Sequence, residues 1–274
     1  MRKVMQEFFP LVTTSRNTQE ANAGEVQEFI KLYGGFTEER NEQSIAELME
    51  KSPHKQLVVF EKQKPSFYGE ESSVALRFHP NMAALRLDQL AKGNTDRLLR
   101  VLEVEPGMIV LDGTLGLGSD ALIEAWQVGE TGKVIALEAS PIIASIVGFS
   151  LKKLAADPEE QMGHLAKRIE VKNDSLELFL RKQKDSSVDV IYLDPMFDRP
   201  VKSSDGISAL RQWAMHLPIS QAVLADALRV VKHRVVIKES KASNWWAELD
   251  WDYPSVLEGH RYHSTRYRVL EKGR

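Results

Sequence analysis

The sequence predicts an α/β protein built on a doubly wound, mostly parallel sheet. From Met108 onward, short apolar runs alternate with helical stretches, and the apolar runs are nearly continuous. Continuous apolar runs are typical of strands that are buried on both faces, and their alternation with helices is typical of parallel sheets. Ligands of such sheets bind beyond the C-terminal ends of the strands.

The apolar runs predict five strands in the larger part of the chain: Met108 to Leu111, Lys133 to Leu137, Ile169 to Lys172, Val188 to Leu193 and Arg234 to Lys238. Basic and aromatic residues close the chain, where we expect an antiparallel strand or hairpin. Residues 106–274 are therefore predicted to form the main domain.

A smaller α/β unit is predicted at the N-terminus, over residues 1–62. Its predicted elements are a strand at 8–14, helices at 22–33 and 43–51, and a strand at 57–60. Pro65, Gly69 and Pro80 lie among polar residues, so residues 63–105 are predicted to be a connector with helices at 82–92 and 96–102. A further strand candidate lies at 74–78 within this connector.

Composition excludes several classes of protein. The 274 residues include no cysteine, which excludes disulfides and thiolate zinc sites. The N-terminus lacks the apolar region of a signal peptide, and no apolar run reaches the roughly 18 residues of a membrane span. We therefore expect a cytoplasmic protein without membrane contact. With 36 basic and 39 acidic residues, any nucleic-acid contact must be local.

A glycine-rich loop after the first main strand is the first candidate binding site. Its candidate ligand contacts are Asp112, Gly113, Thr114, Gly116 and Gly118. Glycine permits positive φ and a close approach of the backbone to a ligand. The spacing of Gly116, Gly118 and Ala121 also matches a dinucleotide fingerprint, so the glycines alone leave NAD open.

The acidic residue at the strand end favours one cofactor. A carboxylate at Asp112 would repel a pyrophosphate but attract the α-ammonium group of a methionine moiety. This favours S-adenosylmethionine (SAM), with S-adenosylhomocysteine as product, over NAD. The alternative is that Asp112 only caps the turn while the glycines shape it.

Two later strand ends carry further acids. Glu138 follows the strand 133–137, where a carboxylate can accept hydrogen bonds from a ribose diol in SAM or NAD; the alternative is a solvated glutamate. Asp174 and Ser175 follow the strand 169–172 and are candidates to hold the adenine amino group. Asp174 is equally suited to cap the helix predicted at 176–181.

The turn after the strand 188–193 distinguishes best between functions. An exocyclic amine of a nucleobase is a poor nucleophile because its lone pair is delocalised, so its methylation calls for hydrogen-bond acceptors. Asp194 and the carbonyl of Pro195 are candidate acceptors, and Phe197 is a candidate to stack on an extruded base. The alternative is a simple turn that ends the strand, with Phe197 in the core.

The terminal stretch interleaves cations and aromatic rings, as a surface that contacts phosphates and bases would. These residues are Arg261, Tyr262, Arg266, Tyr267 and Arg268. A β-hairpin with ordinary solvated charges is the alternative.

With these motifs, the chain resembles the RsmJ-type family of small-subunit ribosomal RNA guanine N2-methyltransferases. The resemblance spans most of the chain and is carried by residues 112–121, 194–197, 234–238 and 259–262. It implies a class I, Rossmann-like SAM-methyltransferase fold and an RNA substrate, either ribosomal RNA or the small ribosomal subunit. It also implies SAM contacts at Ser119, Asp120, Glu138, Ala139, Asp174, Ser175 and Asp194.

Three positions depart from the family pattern: Ser119 and Ala139 stand where arginines are usual, and Asp174 stands where a serine is usual. The departures leave open a sister group with another RNA target. The sequence therefore predicts a SAM-dependent methyltransferase that acts on a guanine exocyclic amine and needs no metal. The alternatives are a non-catalytic SAM- or RNA-binding protein of the same fold and an NAD-dependent oxidoreductase.

Overall fold

The computed structural model describes residues 8–16, 20–70, 74–157, 161–195, 210–215, 219–241, 245–249, 251–259 and 264–273. In these ranges the strands form two sheets, one of five strands in the N-terminal part and one of seven strands in the remainder. None of the helices in these ranges combines the length and the apolar character that crossing a membrane requires.

The N-terminal sheet and two helices form a small α/β unit, as predicted. Its elements are β1 (Leu11–Thr14), α1 (Ala23–Tyr33), β2 (Phe36–Thr37), α2 (Ile45–Lys51), β3 (Gln56–Glu61), β4 (Lys64–Gly69) and β5 (Leu76–Arg77). The strand order is β2-β1-β3-β4-β5. Strand β1 pairs in parallel with β2 and β3, and β4 pairs antiparallel with β3 and β5.

Strand β4 lies where only a connector was expected, whereas β5 lies within the strand candidate at 74–78. Lys62 and Gln63 both have positive φ, of 47° and 63°, which is the backbone of a tight hairpin turn. Neither residue is of a type that favours this conformation, so the turn carries no sequence signal. Pro65 is tolerated because it lies near the start of β4, where β5 does not pair. The division of the chain into domains stays a prediction.

The main sheet has the predicted doubly wound topology. Its elements, with the two helices before it, are α3 (Asn81–Ala91), α4 (Arg97–Leu102), β6 (Ile109–Asp112), α5 (Ser119–Val128), β7 (Lys133–Leu137), α6 (Pro141–Ala156), α7 (Gly163–Ala166), β8 (Ile169–Lys172), α8 (Leu176–Lys182), β9 (Val188–Leu193), α9 (Gln221–Val230), β10 (Val231–Ser240), β11 (Val256–Glu258) and β12 (Thr265–Glu271). The order is β11-β12-β10-β9-β6-β7-β8.

Strands β6 to β10 are parallel, and β12 is antiparallel to both β10 and β11. The predicted C-terminal antiparallel hairpin is thus confirmed. Strand β6 lies between β7 and β9, so the order reverses there. Such a reversal opens a crevice at the C-terminal ends of the strands, which is where open α/β sheets bind ligands.

Several helices begin at side-chain caps that the sequence supplies. The hydroxyl of Ser140 accepts a hydrogen bond from the amide of Ile143 at the start of α6, and Pro141 occupies the first helical position. Ser220 caps α9 in the same way. A cap satisfies amide groups that the first helical turn leaves without partners, so these starts are fixed locally.

Helix α6 joins the two sheets through an aromatic cluster. The ring of Phe149 lies with its centroid 5.4 Å from that of Phe29 and 5.3 Å from that of Phe60. All three rings are fully buried. A single hydrophobic cluster therefore continues from the N-terminal unit into the main sheet.

We expect Phe149→Ala to lower the free energy of unfolding by about 3 to 5 kcal/mol, because it removes buried ring contacts to two elements and leaves a cavity. Urea denaturation measures the loss. Leu257→Ala, at a side chain that is 47% exposed, is the control and should change stability by no more than about 0.5 kcal/mol. A loss below about 1 kcal/mol for Phe149→Ala would contradict the aromatic connection.

Candidate functional site

The ends of β6 and β9 are bonded to each other. The amide of Gly113 donates to the carbonyl of Tyr192 at 2.9 Å, and the amide of Asp194 donates to the hydroxyl of Thr114 at 2.7 Å. The glycine-rich loop and the turn after β9, which are predicted separately from the sequence, are therefore in direct contact.

Different structural features favour glycine at the three glycine positions of the loop. A Cβ at Gly113 would lie 2.5 Å from the side chain of Leu193 and 3.0 Å from that of Leu176, so a larger residue would require these leucines to shift. Gly116 and Gly118 have φ of +51° and +74°, which L side chains rarely adopt. Helix α5 begins immediately after Gly118, so the loop turns sharply from strand to helix.

Asp112 is completely buried at the end of β6. Its Oδ1 accepts hydrogen bonds from the amide and the hydroxyl of Thr114, at 2.9 and 3.4 Å, which agrees with the turn-capping interpretation. Its Oδ2 is buried without a hydrogen-bond partner. Burial, with the nearby charges of Asp120 and Asp194, raises the pKa of Asp112 to about 8.

Glu138 links β7 to the glycine-rich loop. Its Oε2 accepts from the amide of Gly116 at 3.2 Å, and its Oε1 accepts from the amide of Ser140 at 2.8 Å. Burial raises the pKa of Glu138 to about 7 although these bonds oppose the shift. The interpretation of Glu138 as a freely solvated glutamate is therefore wrong.

The ends of β7 and β8 are joined by Asn173, whose side-chain amide donates to the carbonyls of Glu138 and Ala139 at 2.8 and 3.3 Å. Ser175 caps α8 and accepts from the amide of Leu178. The alternative in which Asp174 is the cap is therefore wrong. The carboxylate of Asp174 accepts instead from the amide of Ser175 at 2.9 Å. It also pairs with Lys182 at 3.3 Å.

Five polar side chains from α3, α5, β9, the turn after β9 and β10 contact one another. We call them the charge network: Arg86, Asp120, Tyr192, Asp194 and Lys238. Asp120 accepts from the hydroxyl of Tyr192 at 2.9 Å and forms a short ion pair with Arg86. The ammonium of Lys238 lies 2.6 Å from Oδ2 of Asp194 and 3.7 Å from Oδ2 of Asp120. Asp120 and Asp194 are thereby joined by one lysine.

Sequence reasoning missed three members of the charge network. Tyr192 lies on the apolar strand β9, two residues before Asp194, and Lys238 lies on the neighbouring strand β10. A polar residue near the end of an apolar strand was therefore an available signal. Arg86 lies on α3, outside the sheet, and carries no such signal. It reaches Asp120 because Asp96, the cap of α4, binds its guanidinium through both carboxylate oxygens at 2.8 and 2.9 Å.

Glu124 adds a second unpartnered acid one turn beyond Asp120 on α5. It is fully buried, and both of its carboxylate oxygens lack hydrogen-bond partners. Burial and then the charge of Asp112 raise its pKa well above the usual value. Burial thus favours the neutral form of Glu124 more than that of an ordinary glutamate, which limits the negative charge beneath the loop.

Comparison with known proteins identifies the family. A family model described as "Putative SAM-dependent methyltransferase" matches residues 38–264. The uncharacterized protein YpiP of Bacillus subtilis is 36% identical over 200 residues, which cover 73% of this chain and 77% of that protein. The chain belongs to this SAM-dependent methyltransferase family. Its cofactor is SAM, and the alternative of an NAD-dependent oxidoreductase is wrong.

The methyltransferase is also similar to one further relative in sequence and to one solved structure. The ribosomal RNA small subunit methyltransferase J of Alteromonas mediterranea is 29% identical over 195 residues, covering 69% of this chain and 72% of that protein. The crystal structure of a SAM-dependent methyltransferase from Neisseria gonorrhoeae aligns with a TM-score of 0.64 and 18% identity, covering 96% of both chains. The latter likeness shows the Rossmann-like fold.

The described residues of the methyltransferase fit SAM. Oδ2 of Asp112 is an unpartnered acceptor beneath the loop, and Gly113 and Gly116 place no side chains of their own on the loop backbone. A carboxylate at the end of β7, Glu138, suits two ribose hydroxyl donors. Ser119 is the first residue of α5 and Asp120 the second.

A helical segment over residues 210–213 lies between the loop and the N-terminal unit. The side chain of Leu210 lies 3.7 Å from the position of a Cβ at Gly116. The rings of Trp213 and Phe67 make an edge contact with centroids 5.0 Å apart, and Trp213 fills the space beside Gly69. The N-terminal unit of the methyltransferase therefore flanks the cofactor loop.

The terminal stretch forms a hairpin in its described part. Buried Glu239 accepts hydrogen bonds from Arg266 at 2.9 Å and Arg268 at 3.1 Å, and Tyr267 is buried. The hairpin of this alternative is therefore observed, but Arg266 and Arg268 are not ordinary solvated charges, because both bind the buried carboxylate of Glu239. Three predicted contact residues lie outside the described part of the chain: Phe197, Arg261 and Tyr262.

We expect the stability of the methyltransferase to depend on pH through Glu138. The pKa of this carboxyl is about 7 in the folded protein, whereas its ordinary value of 4.5 applies in the unfolded chain. Between pH 4.5 and about pH 7 the folded state therefore holds a proton that the unfolded chain has released. The stabilisation is fully present below about pH 4.5 and is lost as the pH rises through about 7. Glu138→Gln should remove it, a change on the order of 1 to 3 kcal/mol.

Urea denaturation of both proteins at about pH 5 and about pH 8 measures this difference. Glu130→Gln, at an exposed glutamate beyond α5, is the matched control and should show no pH-dependent difference from the unsubstituted protein. Parallel stability curves for Glu138→Gln and the unsubstituted protein would contradict the assignment.

Proposed function

We propose that this SAM-dependent methyltransferase modifies the exocyclic amine N2 of a guanine in RNA, and that ribosomal RNA of the small subunit supplies the guanine. One observation carries the proposal: the 2.7 Å hydrogen bond from the amide of Asp194 to Thr114 holds the acceptor turn against the cofactor loop. The proposed sites for the methyl donor and for the target amine would thereby lie beside each other, which is the main requirement of methyl transfer.

The ends of three strands and the start of α5 supply the proposed cofactor contacts. Oδ2 of Asp112 faces the ammonium group of the methionine part, and the backbone from Gly113 to Gly118 lies along it. Glu138 accepts hydrogen bonds from the ribose, with Ala139 beside it, and Asp174 and Ser175 hold the adenine edge. Ser119 and Asp120 begin α5 against the methionine end. SAM supplies a methyl group already activated on a sulfonium.

The proposed role of the turn after β9 is to hold the target amine. Asp194 and the carbonyl of Pro195 accept its two N–H bonds, so the nitrogen lone pair is directed toward the methyl group. Phe197 is proposed to stack on the extruded base. After transfer the amine nitrogen must lose a proton, and the carboxylate of Asp194, already bonded to that N–H, accepts it.

RNA as the substrate is supported by the names of relatives and by the position of the acceptor turn at a strand end. The relatives at about 29% identity are named ribosomal RNA small subunit methyltransferases. A base must leave its stack to reach an acceptor turn at a strand end, and an unpaired base does so at the lowest cost. The net charge of -3 restricts RNA contacts to local surfaces.

We expect the protein to transfer tritiated methyl groups from SAM to RNA of the small ribosomal subunit taken from a strain that lacks it. Mapping of the labelled base should identify a guanine whose N2 carries the new methyl group. RNA from the parent strain is the control, because its site is already methylated. If SAM binds but no RNA or subunit particle accepts label, the alternative of a non-catalytic SAM-binding protein is favoured.

We expect Asp194→Asn to lower the rate of methyl transfer by about 100-fold, because the asparagine side chain has no negative charge and one acceptor oxygen fewer than the carboxylate beside the amine. Single-turnover transfer at saturating SAM measures the rate, and calorimetry checks SAM binding. Asp189→Asn is the matched control, since Asp189 lies on the same strand and also pairs with a lysine of β10, at 2.8 Å. An Asp194→Asn rate equal to that of the unsubstituted protein would refute the catalytic assignment.

A further inference from the structure

Lys238 makes the closest polar contact to the side chain of Asp194. Its ammonium binds Oδ2 at 2.6 Å, and no residue in the described part of the chain donates to Oδ1. The side chain of Asp194 is 35% exposed, so Lys238 does not cover it completely. One oxygen is therefore anchored, and the other is available.

We propose that Lys238 is a positioning residue for methyl transfer: it holds one carboxylate oxygen of Asp194 and leaves the other to accept a hydrogen bond from the target amine. This inference rests on the proposed amino-methyltransferase function. It assigns Lys238 a role through Asp194 and no contact with substrate.

Asp120 keeps Lys238 in this position from the opposite side. The ammonium lies 3.7 Å from Asp120, whose carboxylate is itself fixed by the hydroxyl of Tyr192 and by Arg86. Arg86 is fixed in turn by two hydrogen bonds to Asp96. The lysine is thus bound between two carboxylates whose own positions are set by α3, α4 and β9.

The charges around Asp194 decide its protonation state. Burial raises the pKa of Asp194, Lys238 lowers it, and Asp120 raises it. Burial alone would lower the pKa of Lys238, but Asp120 and Asp194 outweigh this and raise it, so the ammonium stays charged at neutral pH. Lys238 is therefore the cation that opposes protonation of Asp194.

Three other titratable groups face this pair from neighbouring elements. Asp112 on β6 and Tyr192 on β9 both sense the charge of Asp194, and Tyr267 on β12 faces Lys238. Burial raises the pKa of Asp112 to about 8 and that of Tyr192 well above its usual value. A carboxyl and a phenol are neutral or negatively charged at any pH, so neither replaces the cation if Lys238 is lost.

We expect Lys238→Met to move the acid limb of the rate profile upward by about one pH unit or more, because an opposite charge within 4 to 6 Å lowers a carboxyl pKa by about 1 to 3 units. A shift of one unit lowers the rate by up to about 10-fold at a pH on the acid limb, so at about pH 6 the variant should transfer methyl groups more slowly than the unsubstituted protein. At about pH 9 the difference should be smaller, because a higher pH favours the ionised form of Asp194 in both proteins.

Lys238→Arg should restore much of the rate at about pH 6, since a guanidinium keeps the charge. Lys232→Met is the matched control, because Lys232 also lies on β10 and pairs with an aspartate of β9, Asp189, at 2.8 Å. It should leave the pH profile unchanged. An acid limb that does not move in Lys238→Met, or that moves equally in Lys232→Met, would overturn the proposal.

A measurement without RNA separates this inference from the proposed function. The carboxyl carbon of Asp194, labelled with ¹³C and assigned with Asp194→Asn, should titrate at higher pH in Lys238→Met than in the unsubstituted protein. An unshifted titration would refute the role of Lys238 even if RNA is methylated. A shifted titration in a protein that methylates no RNA would instead refute the proposed function.

Discussion

The structure of the site depends on the pairing of β6 with β9 at their C-terminal ends. Parallel pairing brings the backbone of Gly113 to Tyr192, and Thr114 then reaches the amide of Asp194. Because both strands are buried, their register cannot shift without moving an entire apolar face. The glycine-rich loop and the acidic turn are therefore held together by the sheet itself.

Charge balance is the second constraint on the site. Four acids lie beneath or beside the loop (Asp112, Asp120, Glu124 and Asp194), and two cations face them (Arg86 and Lys238). Burial of four carboxylates against two cations would be very costly. Raised pKa values for the two least exposed acids, Asp112 and Glu124, lower this cost because they favour the neutral forms. The other two acids, Asp120 and Asp194, form the ion pairs with the cations.

The main sheet was largely predictable because its strands are continuous apolar runs bounded by glycine or acidic residues. Three of the five predicted strands end at the observed residues, and β10 only extends further. The hairpin of β3 and β4 was not predictable, since Lys62 and Gln63 adopt positive φ without the usual residue types. Tertiary packing against the rest of the sheet decides that conformation.

The sequence by itself determined the fold class, the SAM-type loop and the acidic strand ends, because periodicity, glycine conformation and carboxylate chemistry are local properties. Only the tertiary structure decided which charges meet. Lys238 and Arg86 reach Asp120 from elements far apart in the chain, and Arg266 and Arg268 are drawn inward to Glu239. Such pairings depend on distances between elements, which no local pattern of residues encodes.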